Sequence, residues 1–412
     1  MPSAEGPGPL PRAVWAVSVT SLFSDWSYEM LLPVLPFFLV YVLHASVVVV
    51  GLVEGLAVLA QALAQPISSH FVRTAAARKK GGIAGYSVTT AAHGALTVTT
   101  GWLGVLALRV TAWSGRGWRQ PIKKTIVTNA VGGKRRGVAL GLEQAFDSLG
   151  AVLGTAVAVL LILQEGLAGS ARTIFAVSVV PGLIAVLVFA ICVREPRATP
   201  PPQEPSALRS DRPALPSRVR WFLVAATLFG LGFFNILLAV LNIGETVQTS
   251  RPLGGDLGQA SAVVFALVVY LLYNLVYAAA SLPVGRIADR APGIGLVAAS
   301  YLLFLPVDVL LILETGVAGA VALMLAAGLQ IALLDVAESA WLSRSVPPEQ
   351  VGTVFGWFGG LRGVGSLAGS VLIGVLWESV SVPVAFSVSA VFVVAAAVVL
   401  LVAVRPSSPA RR

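Results

Sequence analysis

The feature that most constrains this chain is a succession of long apolar runs, each separated from the next by a short polar or basic stretch. They fall at roughly 14–42, 47–71, 82–101, 102–124, 137–163, 172–193, 221–248, 260–284, 294–314, 317–343, 351–377 and 382–404. About 20 apolar residues in helical form cross a bilayer. Of the 412 residues, 57% are hydrophobic and only 11% are charged, where a soluble domain carries roughly a quarter. Mean hydropathy is +0.87. The expected fold class is an all-α membrane protein of twelve transmembrane helices.

The net charge of +9 would suit a nucleic-acid partner, but its placement argues otherwise. With an inside N-terminus, 24 of the 28 Lys and Arg fall in inside loops or at inside helix ends, and only Arg172 and Arg251 fall outside. That asymmetry orients the chain with both termini cytoplasmic and makes the basic charge a topology signal. No nucleic-acid partner is expected, and the cell inner membrane is the expected location. The single cysteine, Cys192, excludes an internal disulfide. Residues 1–11 lack a signal-peptide pattern. His44, His70 and His93 have no metal-ligand spacing, and there is no Walker loop. No metal, cofactor or enzymatic centre is expected.

Residues 194–220 are proline-rich and of mixed charge, which reads as a cytoplasmic linker. They separate a six-helix bundle at 1–193 from a second at 221–412. The two halves repeat. Gly137, Gly141, Gly150, Gly154 and Tyr86 recur 215 residues later as Gly352, Gly356, Gly365, Gly369 and Tyr301. Leu22-Phe23, Leu31-Leu32 and Val34-Leu35 recur 206 residues later. Two parallel six-helix repeats around a central cavity are a transporter plan.

The stretch Gly285-Arg286-Ile287-Ala288-Asp289-Arg290 resembles the cytoplasmic signature loop of the major facilitator superfamily. Its N-half counterpart, from Ser68 to Lys80, has Ser68 and Val72 at the Gly and Asp positions. Ser24-Asp25, Glu29-Met30, Pro33 and Leu35-Pro36 resemble a bacterial branch of that superfamily with an S-D-x-x-x-E-M-x-x-P-x-L-P first span. The resemblance implies that spans 1, 4, 7 and 10 line the cavity. It also implies that spans 2, 5, 8 and 11 form the interface between halves, and that 3, 6, 9 and 12 face lipid. Arg286, Asp289 and Arg290 would then serve gating.

Against that frame the intramembrane charges acquire candidate roles, because an ionisable group at such depth is costly. Asp25 and Glu29 lie four residues apart on one face of span 1, about 17 to 23 Å into the span at ~1.5 Å per residue. They are the candidate proton-coupling pair, and Tyr28 beside them is a candidate substrate ligand. Arg109, Arg116 and Arg119 lie on span 4, where Arg109, Arg116 and Lys123 recur every seven residues as one stripe. A guanidinium suits a carboxylate or phosphate, so these arginines are candidate substrate ligands. Asn235, Asp335 and Glu338 join them. At the 215 offset Glu338 matches Lys123, so a salt bridge between the halves is one option and a static staple another. Glu54, Asp147 and Arg362 belong to the interface, and a Glu54–Arg362 bridge is expected. Asp308, on a span that should face lipid, has no evident role.

The expected function is proton-coupled secondary transport by alternating access. Export of a small organic compound, anionic or amphipathic, is the first expectation, with a monomer as the working unit. A siderophore or other metal-chelate transporter of the same fold is an alternative. A non-transporting membrane sensor is another, although the 194–220 linker holds no effector domain.

Overall fold

A computed structural model describes residues 10–71, 74–131, 136–194, 215–250, 258–290, 293–313, 316–346 and 348–404. The described chain is helical throughout. The helices are α1 (Arg12–Leu31), α2 (Leu35–Phe37), α3 (Val47–Phe71), α4 (Ala75–Ala95), α5 (Trp102–Asn129), α6 (Arg136–Cys192) and α7 (Ser217–Gly232). They continue as α8 (Ile236–Ser250), α9 (Gln259–Arg290), α10 (Ile294–Leu302), α11 (Leu305–Ile312), α12 (Gly316–Ser345), α13 (Pro348–Ser379) and α14 (Val382–Ala403). Most of the 194–220 linker lies outside the described residues.

Twelve spans were expected, and eight segments among the described residues are long and apolar enough to cross a membrane. The difference has two physical sources. The expected spans 137–163 and 172–193 run as one segment, Leu142–Cys192, which bends where Gly166 adopts φ +71°. The helices α1, α4 and α5 are too polar: α5 alone carries Arg109, Arg116, Arg119, Lys123 and Lys124.

Local chemistry sets the helix ends. Pro33 and Pro36 cannot continue the α1 hydrogen-bond ladder. The chain turns at 32–34 and then winds as a π-helix over Phe38–Val42. The Thr74 hydroxyl caps α4 by accepting from the Ala77 N–H at 3.1 Å. The α7/α8 break contains no proline. There Phe233 is extended, and the Asn235 side chain accepts from the Leu237 N–H at 3.0 Å to start α8.

Small residues let the backbones close up. A Cβ on Gly154 of α6 would lie 2.6 Å from the Trp26 carbonyl of α1. One on Gly365 of α13 would lie 2.6 Å from the Thr227 carbonyl of α7. Between the halves, α3 packs along α13 and α6 along α9. At one end the halves touch through Phe37 against Gly244 and Tyr41 hydrogen-bonded to Gln248. Toward the other end Lys124 and Asp335 are exposed. Leu183, Leu187 and Ile191 of α6 and Val391, Val398 and Val402 of α14 point outward, as a hydrocarbon surround requires.

Gly154→Ala and Gly365→Ala should each cost about 1–3 kcal/mol by overpacking. Gly359 has nothing within 4 Å of its Cβ position. Gly359→Ala should therefore be neutral, or gain up to about 1 kcal/mol from helix propensity. Melting temperatures in one detergent check the contrast.

Candidate functional site

Helical spacing puts Asp25, Tyr28 and Glu29 on one face of α1, and all three are buried. The Tyr28 hydroxyl donates to Asp25 Oδ2 at 3.1 Å. Asp147 of α6 is a further carboxyl group in this polar cluster. Lys123 of α5 then holds Asp147 at 3.2 Å and touches Glu143, which accepts from the Ser21 hydroxyl at 2.8 Å. Ser21 of α1, Lys123 of α5 and the acids of α6 thereby knit three helices around one ammonium.

The span-4 arginines do not act alike. Arg109 is 1% exposed and forms a two-point fork on Glu54 of α3, with Nε to Oε1 at 3.0 Å and Nη2 to Oε2 at 2.7 Å. The Asn235 amide donates to the same Oε2 at 3.0 Å. Arg116 lies 4.0 Å over the Tyr28 ring and 5.4 Å from the Trp113 centroid. Its Nε is buried without a partner, and no carboxylate lies within ion-pair distance among the described residues. Arg119 is buried over the Tyr86 ring at 4.3 Å.

The expected Glu54–Arg362 bridge is not formed. Arg362 instead bonds Glu338 of α12 at 2.6 Å, and the Tyr301 hydroxyl of α10 completes Glu338 at 2.7 Å. Helix phase explains the choice. Gly363 of α13 meets α3 at Ala62 and Leu59, as Leu367, Ser370 and Gly374 meet it further along. Its predecessor is turned by about 100°, and the Arg362 guanidinium lies near Phe233 and Phe358. Nor does Glu338 meet Lys123 across the halves: each is paired inside its own half. Asp335 is exposed and accepts from the Tyr277 hydroxyl at 3.2 Å. The side chains of Arg286, Asp289 and Arg290 lie outside the described residues.

Sequence reasoning missed the tyrosines of α9. Tyr270 donates to Glu29 at 3.0 Å, stacks on Tyr273 at 5.6 Å, and shares a face with Tyr277. Their i, i+3, i+7 spacing in an apolar run was the available signal.

The chain matches the Major Facilitator Superfamily over residues 17–270 and 223–412. It belongs to that superfamily. It is 24% identical over 369 residues to the uncharacterized MFS-type transporter MJ1317 of Methanocaldococcus jannaschii, covering 90% of this chain and 89% of that protein. The nucleoside transporter NupG superposes with TM-score 0.71 at 12% identity, covering 94% of this chain and 97% of the other. A bacterial homologue of the human lysosomal transporter Spinster, inward-facing and unoccupied, superposes with TM-score 0.69 at 14% identity, covering 98% and 100%. The protein is a multi-pass membrane transporter, not an enzyme.

Arg109→Ala strands the Glu54 charge and should cost about 3–5 kcal/mol. The double neutral variant Glu54→Gln with Arg109→Gln should recover most of that loss. Paired melting temperatures measure it; equal losses in single and double variants would contradict the ion-pair reading.

Proposed function

We propose that this superfamily member is a proton-coupled secondary transporter of a small organic anion, working by alternating access with twelve spans and two six-helix halves. Arg116 is the observation that carries this reading. Among the span-4 cations, Arg109 and Lys123 are bonded to carboxylates. Arg116 instead lies on aromatic faces beside Asp25 and Glu29, with donors to spare. Such a guanidinium suits a carboxylate, sulfonate or phosphate. Asp25 and Glu29 are the proton carriers.

Linkage assigns the coupling. A proton on Asp25 or Glu29 removes a negative charge beside Arg116 and favours an anion there, and the anion favours the proton in return. An anionic substrate therefore travels with the proton. Export against a proton flow, the direction expected from sequence, needs a substrate that displaces the proton. An amphipath that is neutral or cationic where it meets these acids would do so.

Arg119, Asn235, Asp335 and Glu338 complete the proposed cavity lining, and Arg286, Asp289 and Arg290 keep the gating role their motif implies. Lys123–Asp147 and Glu338–Arg362 are proposed to exchange partners between halves when the cavity closes on their side. Closed contacts at Phe37, Tyr41 and Gln248 support an inward-facing state, with both termini cytoplasmic in a cell inner membrane and a monomer as the unit.

Uptake into proteoliposomes under an imposed pH gradient tests this. Arg116→Ala should weaken anionic substrates roughly 10- to 100-fold, the value of a charge-assisted hydrogen bond, and leave neutral isosteres unchanged. Asp25→Asn with Glu29→Gln should abolish the dependence of flux on the gradient. Retained coupling in that double variant would overturn the proton assignment. Equal losses for neutral and anionic compounds in Arg116→Ala would overturn the anion assignment.

A further inference from the structure

The break between α7 and α8 is joined to a carboxyl group that lies apart from the cavity charges. In an unbroken helix the Gly232 carbonyl would accept from the N–H of residue 236. Here α7 ends at Gly232, and that carbonyl accepts from the Ser389 hydroxyl of α14 at 2.7 Å. The same hydroxyl oxygen lies 2.8 Å from Asp308 Oδ1 of α11. Asp308 and Ser389 are both 0% exposed, and Asp308 Oδ2 has no partner.

Counting hydrogens decides what this arrangement holds. A serine hydroxyl carries one proton, while a carbonyl and an ionised carboxylate can only accept. With Asp308 ionised, one of the two short oxygen contacts would have no hydrogen between its atoms. The charge would also lack compensation. Its described surroundings offer no free cation: α14 has no titratable residue, α8, alongside α11 at Leu310 and Leu311, contributes only the acid Glu245, and Arg362 of α13, near Phe233, is bonded to Glu338 together with Tyr301 of α10. The α12 charges Asp335, Glu338 and Arg344 lie beyond Gln330, which reaches the Ser300 carbonyl of α10. Arg218 and Arg220 sit at the far end of α7. A proton on Asp308 satisfies both contacts in series. The acid O–H donates to Ser389, and Ser389 donates to Gly232.

We propose that Asp308 is a proton-binding site, occupied in this conformation, whose proton is held through Ser389 against the end of α7. The site is independent of Asp25, Glu29 and Arg116. It is wired to the same break that carries Asn235, which bonds Glu54 in the other half. Releasing the proton requires water to reach a fully buried carboxyl. It would also leave a carboxylate and a carbonyl competing for one hydrogen. Deprotonation therefore accompanies separation of α7 from α11 and α14.

Infrared spectroscopy of the full-length protein in lipid vesicles tests the site without knowledge of the substrate. Wild type at neutral pH should show a protonated-carboxyl C=O band that is lost in Asp308→Asn. The band should shift to higher frequency in Ser389→Ala, which removes the acceptor of the acid O–H. It should be the same in sodium and in choline buffer. Spectra of wild type and Asp308→Asn that match in this region would overturn the proposal. So would a band that sodium abolishes, which would mark a cation site. If Asp308→Asn does not fold, Ser389→Ala decides alone: no change in any protonated-carboxyl band overturns the assignment.

Discussion

The Glu54 carboxylate is a buried charge on which both halves of the chain converge. It takes both donors of the Arg109 fork from its own half and the Asn235 amide from the other. Burying either charge alone would be prohibitive. The pair tolerates a 1% exposed site because both carboxylate oxygens are satisfied. The rest of the polar interior follows from that arrangement. With Arg109 committed to Glu54, Arg116 is left as the cation facing Asp25 and Glu29. Those acids draw instead on the hydroxyls of Tyr28 and Tyr270.

A crossed pattern emerges between positions 206 residues apart. Glu29, on the first helix of the N-half, bonds Tyr270 of α9. Its counterpart Asn235, at the break of α7, bonds Glu54 of α3. Each half therefore reaches into the other from the same place, once with an acid and once with an amide. Deeper in each half the signs are opposed. Lys123–Asp147 and Glu338–Arg362 occupy positions 215 residues apart with cation and anion exchanged. Tyr86 and Tyr301 follow the same offset, but only Tyr301 bonds its acid; Tyr86 supports Arg119. The titratable excess is thus concentrated on α1, where the proposed coupling lies.

Apolar run length foretold the helices, and the glycine offsets foretold a repeat, whose glycines the structure places where α6 presses on α1 and α13 on α7. The i, i+4 spacing of Asp25 and Glu29 foretold a shared buried face. Pairing was not legible, because it depends on helix phase. A turn of about 100° separates Gly363, which meets α3, from Arg362, which does not. The same holds for Asp308. Its span reads as lipid-facing by order, yet the break between α10 and α11 leaves it buried against Ser389. The three α9 tyrosines were visible as a spacing, but their acids come from other helices.

The two broken helices make the polar network mechanically consequential. Pro33 and Pro36 end α1 two residues beyond Glu29, and Gly232 and Asn235 bracket the end of α7. Backbone groups freed at such breaks must find partners or water. At α7 they find Ser389 on one side and Asn235 on the other, so the break is pinned by side chains rather than by an intact ladder. A proton added or removed beside it changes hydrogen-bond count without changing apolar packing. That is the kind of bias that can shift a bistable helix by a few kcal/mol while the glycine-lined contacts of α3 with α13 stay closed.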